Sequence, residues 1–181
     1  GTSADDYIDY NGGDDRIDGK DGNDTLVYDH NYTTAFEILT IAGITAIRVG
    51  SSADTLYTYD DVRLINVESI KFNDTYLALN TTLAAESIIW GTSASENLIG
   101  TDVDDLFDSH GGDDFINGKA GNDTLVIFSY KDFFELQTVG GITKIYGDTS
   151  IDYYDFSTAY WYYADQSKIV RIETIEFIDG S

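Results

Sequence analysis

The chain has 181 residues, enough for one ordinary domain or two small ones. Its 10 Lys and Arg stand against 33 Asp and Glu, and a net charge of −23 argues against nucleic acid or an anionic membrane gripped through basic residues. The lack of Cys, Met and Pro excludes disulfides, thiolate metal sites and thiol catalysis, while 42% hydrophobic and 14% aromatic content is too rich for a disordered acidic tail.

Residues 1–6 have neither the basic nor the apolar part of a signal peptide, and no stretch approaches a transmembrane helix, so membrane insertion is not expected. The chain lacks an initiator Met, and residues 176–181 carry no recognisable secretion signal, so a segment of a larger protein is expected.

Long-range repetition comes first. Gly1-Thr2-Ser3-Ala4 returns as Gly91-Thr92-Ser93-Ala94, and Gly22-Asn23-Asp24-Thr25-Leu26-Val27 returns as Gly121-Asn122-Asp123-Thr124-Leu125-Val126. Val67-Glu68-Ser69-Ile70-Lys71-Phe72 is matched by Ile172-Glu173-Thr174-Ile175-Glu176-Phe177. Two homologous modules are therefore expected, at 1–82 and 91–181, joined by a linker at 83–90.

Each module opens on a period of nine. The first gives GTSADDYID, YNGGDDRID and GKDGNDTLV; the second gives GTSASENLI, GTDVDDLFD, SHGGDDFIN and GKAGNDTLV. Column six reads Asp6, Asp15, Asp24, Glu96, Asp105, Asp114, Asp123, and column eight is apolar throughout: Ile8, Ile17, Leu26, Leu98, Phe107, Ile116, Leu125. Six residues of Gly, Asp and Asn make a turn, because Gly takes positive φ freely and Asp or Asn tolerates it. The next three, polar-apolar-polar, make a minimal strand with one inward side chain. Alternating turns and strands coil the chain with 18 residues per circuit, which pairs Asp6 with Asp24, Glu96 with Asp114, and Asp105 with Asp123.

Carboxylates stacked at the spacing of neighbouring strands repel unless a cation lies between them. Ca²⁺ suits the slot because it accepts six to eight carboxylate and carbonyl oxygens in flexible geometry, whereas Mg²⁺ demands a small octahedron and keeps its waters. The alternative is that these aspartates make only solvated Asx turns. About three or more structural Ca²⁺ ions are expected for the chain, with the second module binding more than the first.

These rows resemble the repeats-in-toxin (RTX) calcium-binding nonapeptide, most closely at 10–18, 109–117 and the two GNDTLV rows. The resemblance implies an all-β fold, two tandem modules each made of a short parallel β-roll followed by a β-strand cap, in a secreted or cell-surface bacterial protein exported by type I secretion. It also implies Ca²⁺ in the turns, held by the column-six residues and their column-five neighbours Asp5, Asp14, Asn23, Asp104, Asp113 and Asn122. Ser95-Glu96 and Val103 depart from the pattern, and the rows that would pair with Asp15 are expected to lie outside the roll.

After each roll, alternating runs at 35–40 and 44–49, and again at 134–139 and 142–146, flank Gly turns and predict hairpins. Ile65, Val67, Ile70 and Phe72, like Val170, Ile172, Ile175 and Phe177, predict one strand with a local irregularity, capping the open end of the roll. The second module has extra residues rich in Tyr and Trp. Trp161, Tyr160, Tyr162 and Asp155 are candidates for a carbohydrate platform, since amphipathic rings stack on sugars; packing within the cap is the other reading.

His30 and His110 are the two imidazoles, and the clustered carboxylates are accounted for by calcium, so no acid-base pair stands out and the segment is expected to be non-catalytic. The functions in contention are an adhesin-type interaction module, an accessory region of an extracellular enzyme acting on polysaccharide, protein or lipid, and an aid to secretion and folding. The expected partners are calcium and a glycan or cell-surface polysaccharide.

Overall fold

The computed structural model describes residues 1–29, 36–49, 60–80, 83, 87–110, 112–128, 131, 134–147, 167–178 and 180. The chain divides into two compact units, Gly1–Leu83 and Ala84–Ser181. All elements in the described residues are strands, so the fold is all-β.

Unit 1 contains β1 (Tyr7–Asp9), β2 (Arg16–Asp18), β3 (Thr25–Val27), β4 (Phe36–Ile41), β5 (Ile44–Val49), β6 (Asp60–Ile65), β7 (Ser69–Lys71) and β8 (Tyr76–Ala78). They form two four-stranded sheets, β1-β3-β7-β8 and β2-β6-β5-β4. Strands β1 and β3 are parallel with Ile8 opposite Leu26, the 18-residue circuit expected from the nonapeptide period. Their single inward residues meet a core of Leu26, Ile47, Val62, Leu64, Val67, Ile70 and Phe72, drawn from both sheets.

Unit 2 contains β9 (Ser87–Trp90), β10 (Asn97–Ile99), β11 (Asp105–Asp108), β12 (Phe115–Asn117), β13 (Thr124–Ile127), β14 (Phe134–Val139), β15 (Ile142–Gly147), β16 (Lys168–Val170) and β17 (Thr174–Phe177). Its sheets run β10-β12-β16-β15-β14 and β17-β13-β11-β9. Leu98 lies opposite Ile116 and Phe107 opposite Leu125, again 18 residues apart. Leu98, Phe107, Ile116, Leu125, Ile145 and Ile169 fill the space between the sheets.

Three features differ from the sequence reading. Residues 87–90 are not linker but β9, paired in parallel with β11 so that Ser87 faces Asp105. They form the end of a degenerate nine-residue row, with Ile89 in column eight, hidden because Ser87 stands where the carboxylate would be. The cap is continuous with the roll: β6 and β7 extend the parallel stacking of β2 and β3, and β16 and β17 do so for β12 and β13. Finally, the irregular strand is two strands in different sheets, joined by a three-residue corner in which Asn66 (φ 51°) and Arg171 (φ 54°) take left-handed backbone.

Each hairpin then closes one sheet with antiparallel strands. The β4–β5 turn is Ala42-Gly43 (φ 50° and 86°) and the β14–β15 turn is Gly140-Gly141 (φ 62° and 79°). Positive φ at both central residues is the two-residue turn whose twist matches flanking strands.

Candidate metal centre

Parallel registry at 18 residues brings column-six residues into vertical stacks, and their hydrogen bonds run one way. The Asp6 N–H donates to Asp24 Oδ1 at 2.7 Å, Glu96 N–H to Asp114 Oδ1 at 2.8 Å, and Asp105 N–H to Asp123 Oδ1 at 2.9 Å. These are the three pairs expected from the sequence. Column five runs the opposite way: Asn23 N–H donates to Asp5 Oδ1, Asn122 N–H to Asp104 Oδ1, and Asp113 N–H to the Ser95 hydroxyl. Successive turns are thus laced in both directions through side-chain oxygens, and column five serves largely to accept backbone bonds. Three of the four column-four glycines, Gly22, Gly112 and Gly121, ride over the preceding turn, whereas Gly13 has open space beside it; a Cβ on Gly121 (φ +127°) would sit 2.5 Å from the Val103 carbonyl.

The second carboxylate oxygen separates two kinds of row. In rows opening Gly-Thr, the turn satisfies its own carboxylate. Thr2 donates its N–H and hydroxyl to Asp6 Oδ2, Thr101 does the same for Asp105 Oδ2, and the Thr92 N–H reaches Glu96 Oε2. In the two Gly-Lys rows Asp24 Oδ2 and Asp123 Oδ2, and in the Ser-His row Asp114 Oδ2, are buried and accept no hydrogen bond, in residues 0%, 1% and 2% exposed. A buried carboxylate oxygen without a donor costs several kcal/mol unless a cation compensates it. A turn that hydrogen-bonds its own carboxylate therefore describes the Asp6 row and the buried Asp105 row, and the cation reading fits the Asp24, Asp114 and Asp123 rows.

A backbone carbonyl lies beside each orphan oxygen of the Gly-Lys rows. A Cβ built on Gly118 would meet Asp123 Oδ2 at 2.1 Å and the Arg171 carbonyl oxygen at 2.2 Å. At Gly19 the same point falls 2.4 Å from Asp24 Oδ2 and closer still to the Asn66 carbonyl. Burial pushes the Asp123 carboxyl up from its ordinary pKa, and the nearby charges of Asp105, Glu173 and Asp104 add to the rise. The half-buried Asp6 is held below the usual value by its hydrogen bonds from Thr2.

Two members of the carboxylate stacks were missed in the sequence. Glu68 and Glu173 end the carboxylate stacks, accepting from Asp24 N–H at 2.6 Å and Asp123 N–H at 2.8 Å. Their signal was the Val/Ile-Glu-Ser/Thr-Ile block present in both units, read above for its apolar positions alone. Ser167 ends the third stack, accepting from Asp114 N–H at 3.2 Å and donating to the Gly112 carbonyl. Asp15 stacks on β6, where Arg63 N–H donates to its carbonyl and Val62 occupies the facing position, so its stack contains no second carboxylate. Trp161, Tyr160, Tyr162, Asp155 and His30 lie outside the described residues.

No group of three or more His, Asp or Glu side chains in the described residues could hold a metal alone. The donor set is instead carboxylate plus backbone carbonyl oxygen, with neither nitrogen nor sulfur, which suits a hard, large, adaptable cation such as Ca²⁺. Stacked turns of this kind define a calcium-binding parallel β-roll. Comparison with known families agrees: residues 1–26 and 90–125 match the RTX calcium-binding nonapeptide repeat in four copies. These residues are RTX repeats, and RTX repeats bind Ca²⁺. No curated protein matches the chain. Among solved structures, the extracellular lipase LipA from Serratia marcescens aligns with 11% identity and a TM-score of 0.33. That alignment covers 95% of this chain and 37% of the lipase chain, so this chain spans little more than a third of that structure's length.

Proposed function

We propose that this chain is a calcium-folded, non-catalytic interaction module of a secreted bacterial protein. The observation that carries the reading is the pair of buried, undonated carboxylate oxygens on Asp24 and Asp123, each at the same place in its unit. Without a cation these stacks bury negative charge on negative charge; with Ca²⁺ they become the strongest cross-links between circuits. Such a module stays loose where Ca²⁺ is scarce and sets where it is plentiful, which suits export of an unfolded chain followed by folding outside the cell. Most column-six and column-five side chains are taken up in the turn ladders, which favours a scaffold over a reaction centre.

The ligand of such a scaffold is a neutral glycan, or an anionic one bridged by bound Ca²⁺, and the aromatic insertion that includes Trp161 is the segment assigned to it. Trp161→Ala should abolish glycan-array binding while sparing the calcium-induced fold.

Far-ultraviolet circular dichroism of the metal-free chain tests the calcium reading. A β signature should emerge on adding millimolar Ca²⁺ and disappear on chelation. Identical spectra in both conditions would overturn it.

A further inference from the structure

We propose that the closing rung of each unit is a divalent-cation site that the nonapeptide does not itself define: Asp24, Glu68 and the Asn66 carbonyl in unit 1, and Asp123, Glu173 and the Arg171 carbonyl in unit 2. The inference rests on the calcium reading above and places ions one rung beyond the matched repeats, since Asn66, Glu68, Arg171 and Glu173 all lie outside residues 1–26 and 90–125.

Three observations converge. Asp24 Oδ2 and Asp123 Oδ2 accept no hydrogen bond in residues that are almost wholly buried. Each orphan faces a carbonyl of the closing corner across a glycine, with both oxygens close enough to one point that no Cβ could occupy it. Each is followed in its stack by a glutamate that already accepts the aspartate's own N–H. Two carboxylates carry two negative charges, and a single divalent cation neutralises them.

The corner explains why glutamate stands here. A three-residue turn replaces the six-residue turn of a nonapeptide, and the extra methylene of Glu restores the reach to the preceding row. Asn66 and Arg171 need share nothing but left-handed backbone, because each contributes a carbonyl oxygen and not its side chain. The preceding rung has no such demand, as Thr2 and Thr101 already satisfy Asp6 and Asp105.

The test uses the full chain, stripped of metal and titrated calorimetrically with CaCl₂, beside Glu68→Gln and Glu173→Gln. Gln keeps an oxygen to accept the aspartate N–H but removes the charge. Each variant should lose one bound ion, or bind it about tenfold or more weakly, while circular dichroism in excess Ca²⁺ stays that of the parent. If the parent binds no Ca²⁺, the functional reading falls and this inference with it. If the parent binds Ca²⁺ and both variants titrate identically to it, this inference alone is overturned. Should a Gln variant fail to fold in excess Ca²⁺, Glu→Asp at that position decides: retained charge with shortened reach should weaken one ion, and unchanged affinity would overturn the proposal.

Discussion

Gly118 is where one methyl group tests the roll most directly. The Ala Cβ would lie 2.2 Å from the Arg171 carbonyl oxygen, which is backbone and has no rotamer to yield. Restoring contact requires the circuits to separate by about 1 Å, an overpacking that costs about 1–3 kcal/mol. The same movement stretches the Gly118 N–H bond to the Val170 carbonyl, already 3.2 Å, out of range and forfeits about 1 kcal/mol more. Gly118→Ala should therefore destabilise unit 2 by about 2–4 kcal/mol. It should also raise the Ca²⁺ midpoint, because the methyl displaces Asp123 Oδ2. Both tryptophans, Trp90 and Trp161, belong to unit 2, so urea unfolding followed by tryptophan fluorescence in excess Ca²⁺ reads that unit alone. The midpoint should fall by about 1 M or more. Gly140→Ala is the control, for its Cβ meets nothing within 4 Å and carries only the strain of φ +62°, about 1–2 kcal/mol. A Gly118→Ala chain no less stable than Gly140→Ala, with an unchanged Ca²⁺ midpoint, would refute the close approach.

Phe107→Ala should cost about 3–5 kcal/mol and unfold unit 2, since the ring is fully buried between the sheets, whereas Val139→Ala at a 70% exposed position should shift the same urea midpoint negligibly. Asp123 has a folded-state pKa above its unfolded value, so its contribution is fully present below the unfolded pKa and is lost as pH rises through the folded one. The metal-free chain should accordingly regain part of its β signature as the pH falls into the carboxylate range, and Asp123→Asn should flatten that dependence in circular dichroism. Mg²⁺ should fail to replace Ca²⁺ in restoring the circular dichroism spectrum, because the carbonyl and carboxylate slots do not supply a small, water-retaining octahedron.

The roll was legible because its signal is redundant. Seven rows repeat an apolar column eight, and that alone predicts the register of Ile8 on Leu26 and Phe107 on Leu125. Both hairpins were legible from alternation around a glycine turn. What escaped was where the period breaks. Ser87 removed the carboxylate from its row and hid β9, although Ile89 kept the apolar column. Glu68 and Glu173 are the last residues of three-residue corners, so no nine-residue comb aligns them with Asp24 and Asp123. The division between satisfied and orphan carboxylates follows column two, Thr against Lys or His, but its meaning depends on a backbone N–H turning inward, which only three dimensions display.

The spacing of the rungs also orders their formation. Contacts within the nonapeptides join residues 18 apart, whereas the closing rung of unit 1 joins Asp24 to Glu68 across 44. Closing the longer loop costs about 0.8 kcal/mol more chain entropy than closing the shorter one, before any strand of the intervening hairpin has formed. The circuits should therefore zip first and the corner dock last. Until it docks, the last aspartate of the roll still faces water, and each unit is a spring coiled but not yet latched.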